Sequence, residues 1–184
     1  MRIVGGRLKG RTLVGPRSDA IRPTSDRLRE SLFNVLAHAY DDACEGARVV
    51  DLFAGTGALG LEALSRGAAY AAFVDQSAEA RGLIRGHVEA FGLSGVTGLL
   101  KRDATRLGQI APFEPFTLMF CDPPYRKGLA ERALASAREG GWLTPDALVI
   151  VEEAADIIVE VPAGFTLAER REAGDTQLLF LRLA

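Results

Sequence analysis

The sequence predicts an α/β fold: a mostly parallel sheet with helices on both faces and an antiparallel hairpin at one edge. Three observations carry this. Near-continuous apolar runs alternate with helical periodicities between residues 48 and 152, the pattern of repeated β-α units. A glycine-rich turn joins the first of these runs directly to a helix. At the end of the chain, two runs flank Gly174-Asp175 in the manner of a hairpin. The 184 residues suffice for one full-sized core, so a single domain is expected over 1–184. A composition 48% hydrophobic and 25% charged fits a folded, water-soluble chain rather than a disordered one.

The elements follow in order. Residues 3–8 and 11–14 read as a short glycine-broken hairpin or extended arm, making 1–24 a basic N-terminal arm ahead of a core over 25–184. In 25–39, Leu28, Leu32, Val35, Leu36 and Ala39 recur at helical spacing, and Thr24 or Ser25 can cap the start. Residues 48–52 form a strand and 57–66 a helix stopped by Gly67. A strand over 70–75 precedes a helix over about 77–91. Strands over 96–101 and 116–121, a helix over about 128–139 and a strand over 147–152 continue the alternation. Residues 166–172 and 177–183 supply the closing hairpin.

No apolar run approaches the roughly 20 residues that span a bilayer, and the amino terminus lacks the apolar stretch of a secretory signal. A cytoplasmic protein without a membrane partner is expected. Cys44 and Cys121 fit no metal-ligand spacing and read as buried free thiols, and His38 and His87 form no cluster. No metal is expected. Residues 1–30 carry eight Arg or Lys against three Asp or Glu, a surplus of five positive charges; with a net charge of −2, the remainder carries −7. A basic arm on an acidic body is an electrostatic footprint for a polyanion.

The segment 49–60 runs from strand through Gly55, Gly57 and Gly60 into a helix, satisfying G-x-G-x-x-G. Such glycines allow a tight turn and close backbone approach to a ligand at a helix amino terminus. Asp75 ends the next strand about 20 residues on, placed to accept hydrogen bonds from ribose hydroxyls. A nicotinamide cofactor fits these features as well as any other nucleoside. Asp51, at the strand end before the glycines, would repel a pyrophosphate but suits a cationic amino-acid portion such as that of S-adenosylmethionine. Asp103, after the third strand, could accept an adenine amino group. Acids at three successive strand ends favour a cationic nucleoside over a dinucleotide.

Asp122-Pro123-Pro124-Tyr125 follows the apolar run 116–121. Two prolines cannot continue a ladder, because each lacks an N–H and fixes its own φ. They hold a carboxylate, backbone carbonyls and an aromatic ring at a strand's carboxyl end, where open α/β sheets bind ligands. Acceptors beside a stacking platform suit a planar base with an exocyclic amine.

Together with 2–11 and 22–34, these motifs resemble the small single-domain bacterial 16S ribosomal RNA guanine-N2 methyltransferases, within the class I S-adenosylmethionine-dependent methyltransferases. The likeness spans nearly the whole chain and departs at 170–176, where the family often carries an aromatic and a basic residue. It implies a Rossmann-like, mostly parallel seven-stranded sheet. It further implies that Asp51, Phe53, Ala54, Gly55 and Gly57 hold S-adenosylmethionine together with Asp75, Gln76, Asp103, Ala104 and Asp122. Asp122, the Pro123 carbonyl and Tyr125 would hold the target base. Arg7, Lys9, Arg11, Arg22 and Arg27 would bind phosphates of 16S ribosomal RNA, free or in an assembling small subunit, and the protein would act as a monomer. A DNA adenine-N6 or cytosine-N4 methyltransferase, a nicotinamide-dependent oxidoreductase and a non-catalytic RNA-binding factor remain alternatives.

Overall fold

The computed structural model describes residues 1–184. The amino-terminal segment is a small hairpin-like loop: Arg2 and Thr12 form an antiparallel bridge, and Leu13 N–H donates to the Met1 carbonyl at 2.9 Å. It lies against the body, with Ile3, Leu8 and Leu13 all buried. The core begins with α1 (Asp26–Ala39), whose start is capped by the Ser25 hydroxyl accepting from Leu28 N–H. Then follow β1 (Arg48–Leu52), α2 (Ala58–Ser65), β2 (Tyr70–Val74), α3 (Ala78–Ala90), β3 (Thr97–Leu100) and β4 (Phe116–Cys121). The chain ends with α4 (Leu129–Glu139), β5 (Leu143–Ala154), β6 (Phe165–Ala173) and β7 (Thr176–Leu183).

All seven strands join one sheet in the order β3-β2-β1-β4-β5-β7-β6. Strands β1 to β5 are parallel, while β7 pairs antiparallel with both β5 and β6, so the closing hairpin inserts its second strand against the sheet. Side chains alternate between two cores, as strand geometry demands. Val49, Leu118, Phe120 and Ile150 face the arm, α1 and α2; Val50, Met119, Cys121 and Val151 face α4 and Trp142. Both faces are covered, and the central strands therefore read as continuous apolar runs.

Element boundaries differ from the sequence expectation mainly at β5. Apolarity marked 147–152, the buried part, whereas residues 143–146 extend the strand by pairing Leu143 with Phe116 across a register shift. Both cysteines are free and buried. No helix is long and apolar enough to cross a membrane, and no group of three or more His, Cys, Asp or Glu side chains could hold a metal ion.

The arm's attachment runs through charge, which spacing alone does not reveal. Glu62, fully buried on α2, accepts from Val4 and Gly5 N–H at 2.9 Å each and pairs with Arg29 at 3.0 Å and Arg66 at 2.9 Å. Arg29, counted above in the basic surplus, is thus a core residue with no solvent exposure. His87 joins arm to body in a second place. Its Nε2 accepts from Val14 N–H at 2.8 Å, which makes Nδ1 the protonated nitrogen, donating to the Thr56 carbonyl at 3.0 Å. From there residues 14–24 cross the amino end of α3, where Glu79 accepts from Arg17 N–H, Ser18 N–H and the Ser18 hydroxyl.

Candidate active site

The strand order reverses between β1 and β4, and a cavity of about 620 Å³ opens at the carboxyl ends of the parallel strands beside that point. Its size is within the roughly 300–1,000 Å³ of small-molecule sites. Residues 19–24 of the arm form one wall. The lining carries four carboxylates, Asp19, Asp51, Asp75 and Asp122, against two basic side chains, Arg22 and Lys127. This balance suits a ligand with positive charge better than a pyrophosphate.

On one side stands the glycine turn. Phe53 adopts φ +55°, a left-handed conformation costly for a residue with a Cβ, and lines the cavity with Ala54 and Gly55. Gly55 N–H donates to Asp75 Oδ2 at 2.9 Å, while Asp75 Oδ1 accepts from Ser77 N–H at 2.8 Å. Gly57, at φ +80°, caps α2. Gly60 in its first turn has no room for a side chain, since a Cβ would lie 2.5 Å from Phe73 Cε1. The Gly60 N–H donates to Asp51 Oδ2 at 3.0 Å. Asp51 is only 1% exposed, and burial pushes its carboxyl up to about 8 although the Gly60 N–H pulls the other way. Asp75 keeps lone pairs free for donors from a ligand, and a cationic group placed beside Asp51 would favour its ionised, accepting form.

On the other side, Asp122 leaves the end of β4 with its carboxyl buried. Oδ2 accepts from the Thr24 hydroxyl at 3.1 Å; Oδ1 has no hydrogen-bond partner. Burial, then the nearby Glu152 charge, raises the Asp122 carboxyl well above the usual range, opposed by Arg22 and Thr24. The Tyr125 hydroxyl donates to Glu152 Oε1 at 2.5 Å and lies 2.9 Å from Thr176 Oγ1, which locks the ring. Over that ring, at 3.5 Å from its centroid, sits the Arg22 guanidinium. Its Nη2 is 3.2 Å from Glu152 Oε1 and 3.5 Å from Asp122 Oδ1.

Of the residues singled out in the sequence, Asp51, Phe53, Ala54, Gly55, Asp75, Asp122, Pro123 and Tyr125 all line this cavity. Gly57, Gln76, Asp103 and Ala104 lie outside its lining. Asp103 instead accepts from the Thr105 hydroxyl and N–H at 2.7 and 2.9 Å, bonds that hold its carboxyl below the usual range. Arg7, Lys9 and Arg27 are exposed. Arg11 is partly engaged, donating to the Ala90 carbonyl at 2.8 Å with its guanidinium 4.8 Å from the centre of the Phe91 ring. Arg22 was expected on phosphate; here it lies in the cavity, drawn by two carboxylates and an aromatic face. Glu152 escaped sequence reading, although it stands near the carboxyl end of β5 as Asp51 does on β1. Extending the strand-end rule to the fifth strand would have found it.

A sheet of this order, a glycine turn after β1 and an acidic cleft at the switch point together define the class I methyltransferase fold. The ribosomal protein L11 methylase of Lactobacillus delbrueckii subsp. bulgaricus, at 16% identity, shares this fold with a TM-score of 0.62 over 90% of this chain and 83% of that one. The chain belongs to the Conserved hypothetical protein 95 family, whose model matches residues 1–182. Ribosomal RNA small subunit methyltransferase D of Escherichia coli K12 is 37% identical over 183 residues, covering 95% of this chain and 85% of that protein. The solved structure of yhhF from Escherichia coli is 34% identical, with a TM-score of 0.83 over 100% of this chain and 97% of that one.

Proposed function

We propose that this protein transfers a methyl group from S-adenosylmethionine to the exocyclic N2 amine of a guanine in 16S ribosomal RNA, acting in the cytoplasm as a monomer. One observation carries the reading. A buried carboxylate oxygen, Asp122 Oδ1, has no hydrogen-bond partner and stands beside a locked aromatic ring in a ligand-sized cavity. A buried acceptor without a hydrogen bond costs about 1–3 kcal/mol, and the Arg22 guanidinium at 3.5 Å compensates it only in part, so such an atom suits a donor from outside the chain. The choice of RNA leans on the relatives named above.

The acidic lining fits S-adenosylmethionine. Asp51 would face its cationic amino-acid portion and Asp75 its ribose, and when bound it would supply an electrophilic methyl group whose carbon–sulfur bond breaks to leave a neutral thioether. The chain's own work concerns the base. An exocyclic amine is a poor nucleophile because its lone pair is delocalised into the ring. Accepting its hydrogens at Asp122 and at the Pro123 carbonyl turns that lone pair out of conjugation, while Tyr125 holds the ring near attack geometry. As the nitrogen gains the methyl group, it loses one proton. Asp122, with its raised proton affinity, is the nearest group to take it. The base must leave its stack or be presented unpaired.

The direct test incubates labelled S-adenosylmethionine with small ribosomal subunits, free 16S RNA and DNA, then identifies the modified nucleoside. N2-methylguanine in RNA supports the reading; label confined to DNA, or to adenine or cytosine, overturns it. The exposed basic side chains give a second expectation. Replacing Arg7, Lys9 and Arg27 together with Ser should weaken RNA binding and lower the slope of log affinity against log salt by up to roughly 3. An unchanged slope in a filter-binding titration would remove these residues from the interface.

A further inference from the structure

The Arg22 guanidinium occupies the place that the target base needs. It covers the Tyr125 ring at 3.5 Å, and one of its nitrogens lies between Asp122 Oδ1 and Glu152 Oε1. Its side chain is 52% exposed and anchored only by these contacts and the wall behind it, so it can swing outward. A single Arg22 nitrogen reaches both acids, so their acceptors converge on one spot, and guanine carries two adjacent donors for it, N1–H and the N2 amine. Adenine and cytosine do not. In both, the ring nitrogen beside the exocyclic amine is an acceptor.

We propose that Glu152 selects guanine by accepting its N1–H while Asp122 accepts from the N2 amine, with Arg22 holding that place until the base displaces it. Glu152 is suited to this by its surroundings. It is 5% exposed and fixed by the Tyr125 hydroxyl through Oε1, the same oxygen that meets Arg22. An adenine or cytosine stacked on Tyr125 with its amine at Asp122 would set a ring lone pair against that oxygen. A site built around a donor rejects a base that lacks it, because the acceptor is left facing another acceptor. The selection is therefore written into β5, not into the Asp-Pro-Pro-Tyr turn, which serves all three amines equally.

This inference rests on the guanine-N2 reading, and its test separates the two. Once the methylated guanine is mapped, subunits are assembled from ligated 16S RNA with 2-aminopurine at that position. This base keeps the 2-amine but has an acceptor at N1. Wild-type protein should prefer guanine to 2-aminopurine by about 100-fold in kcat/KM. Glu152→Gln, whose amide can donate to N1, should narrow the preference to below about tenfold, while S-adenosylmethionine binding is retained. The missing O6 of 2-aminopurine handicaps both proteins alike, so the change in ratio reports N1 alone. Equal use of the two bases by wild type would overturn the proposal without any variant. So would an unchanged ratio in Glu152→Gln. If wild type methylates no guanine, the underlying reading falls instead, and this inference with it.

Discussion

Asp122→Ala is expected to lower methyl transfer by about 10²–10⁴-fold while S-adenosylmethionine binding changes little. The asymmetry arises from what each carboxylate oxygen does. Oδ2 is held by Thr24, and Oδ1 makes no hydrogen bond, meeting only the Arg22 guanidinium at 3.5 Å, so it is open to substrate once Arg22 moves. Removing the side chain costs the fold the Thr24 bond and one of the two acidic partners of the half-exposed Arg22, but it also removes the burial cost of the carboxyl and its repulsion with Glu152. Stability should hold or rise while turnover collapses. Asp122→Asn separates orientation from proton acceptance. Its carbonyl oxygen can still accept an amine hydrogen, so a fall of only about tenfold is expected, but the group no longer titrates. The ionised form is the better acceptor, and burial raises the folded-state value above that of an ordinary carboxylate. Wild-type activity should therefore fall as pH drops through that raised value, earlier than an ordinary Asp would dictate. The acid limb should be absent in the Asn variant. A stopped-time assay from neutral to mildly acidic pH checks this, and matching profiles for Asp and Asn would exclude Asp122 as proton acceptor.

Much of this architecture can be read from the chain because strands buried on both faces announce themselves as unbroken apolar runs. Ser25 and Ser77 cap their helices, as their position before a periodic run predicts. The Asp-Pro-Pro-Tyr turn is equally plain, since prolines fix the local geometry whatever surrounds them. What spacing cannot supply is the partner of a charge. Arg29 and Arg22 count as two positive charges in the same basic stretch, yet one is a core residue and the other lies over a tyrosine ring. Asp51 stands near the carboxyl end of β1, and Asp103 just beyond that of β3. One faces the cavity, and the other closes on its own turn through Thr105. The outcomes at Arg29 and Arg22 depend on acids 33 and 130 residues away, which a local pattern does not encode, whereas Asp103 is settled within two residues of itself. Glu152 differs, because it closes the apolar run 147–152 and its strand-end position is visible in the sequence.

The largest stability effect is expected at Glu62. Its carboxylate meets two backbone N–H groups of the arm and two guanidinium groups, all within 3.0 Å. Arg29, its partner on α1, has no solvent exposure and already carries an unpartnered Nε. Glu62→Ala would leave that cation with only Asp26 beside it and would orphan the Val4 and Gly5 N–H groups. Breaking a buried pair in this way costs about 3–5 kcal/mol, which urea denaturation should register as a lower midpoint. Replacing both charges, as in Arg29→Met with Glu62→Leu, removes the uncompensated cation and should recover much of the loss. The arm gives an independent readout. Freed from Glu62, residues 2–11 should become a tryptic site at temperatures where α1 to β7 stay folded. Retained protection with a loss below about 1 kcal/mol would mean that Ile3, Leu8 and Leu13 suffice to hold the arm. Recovery in the double variant would place the cost in the stranded guanidinium, not in the lost bonds. The arm that walls the cavity would then depend on charge balance inside α2, well away from any residue that touches the base.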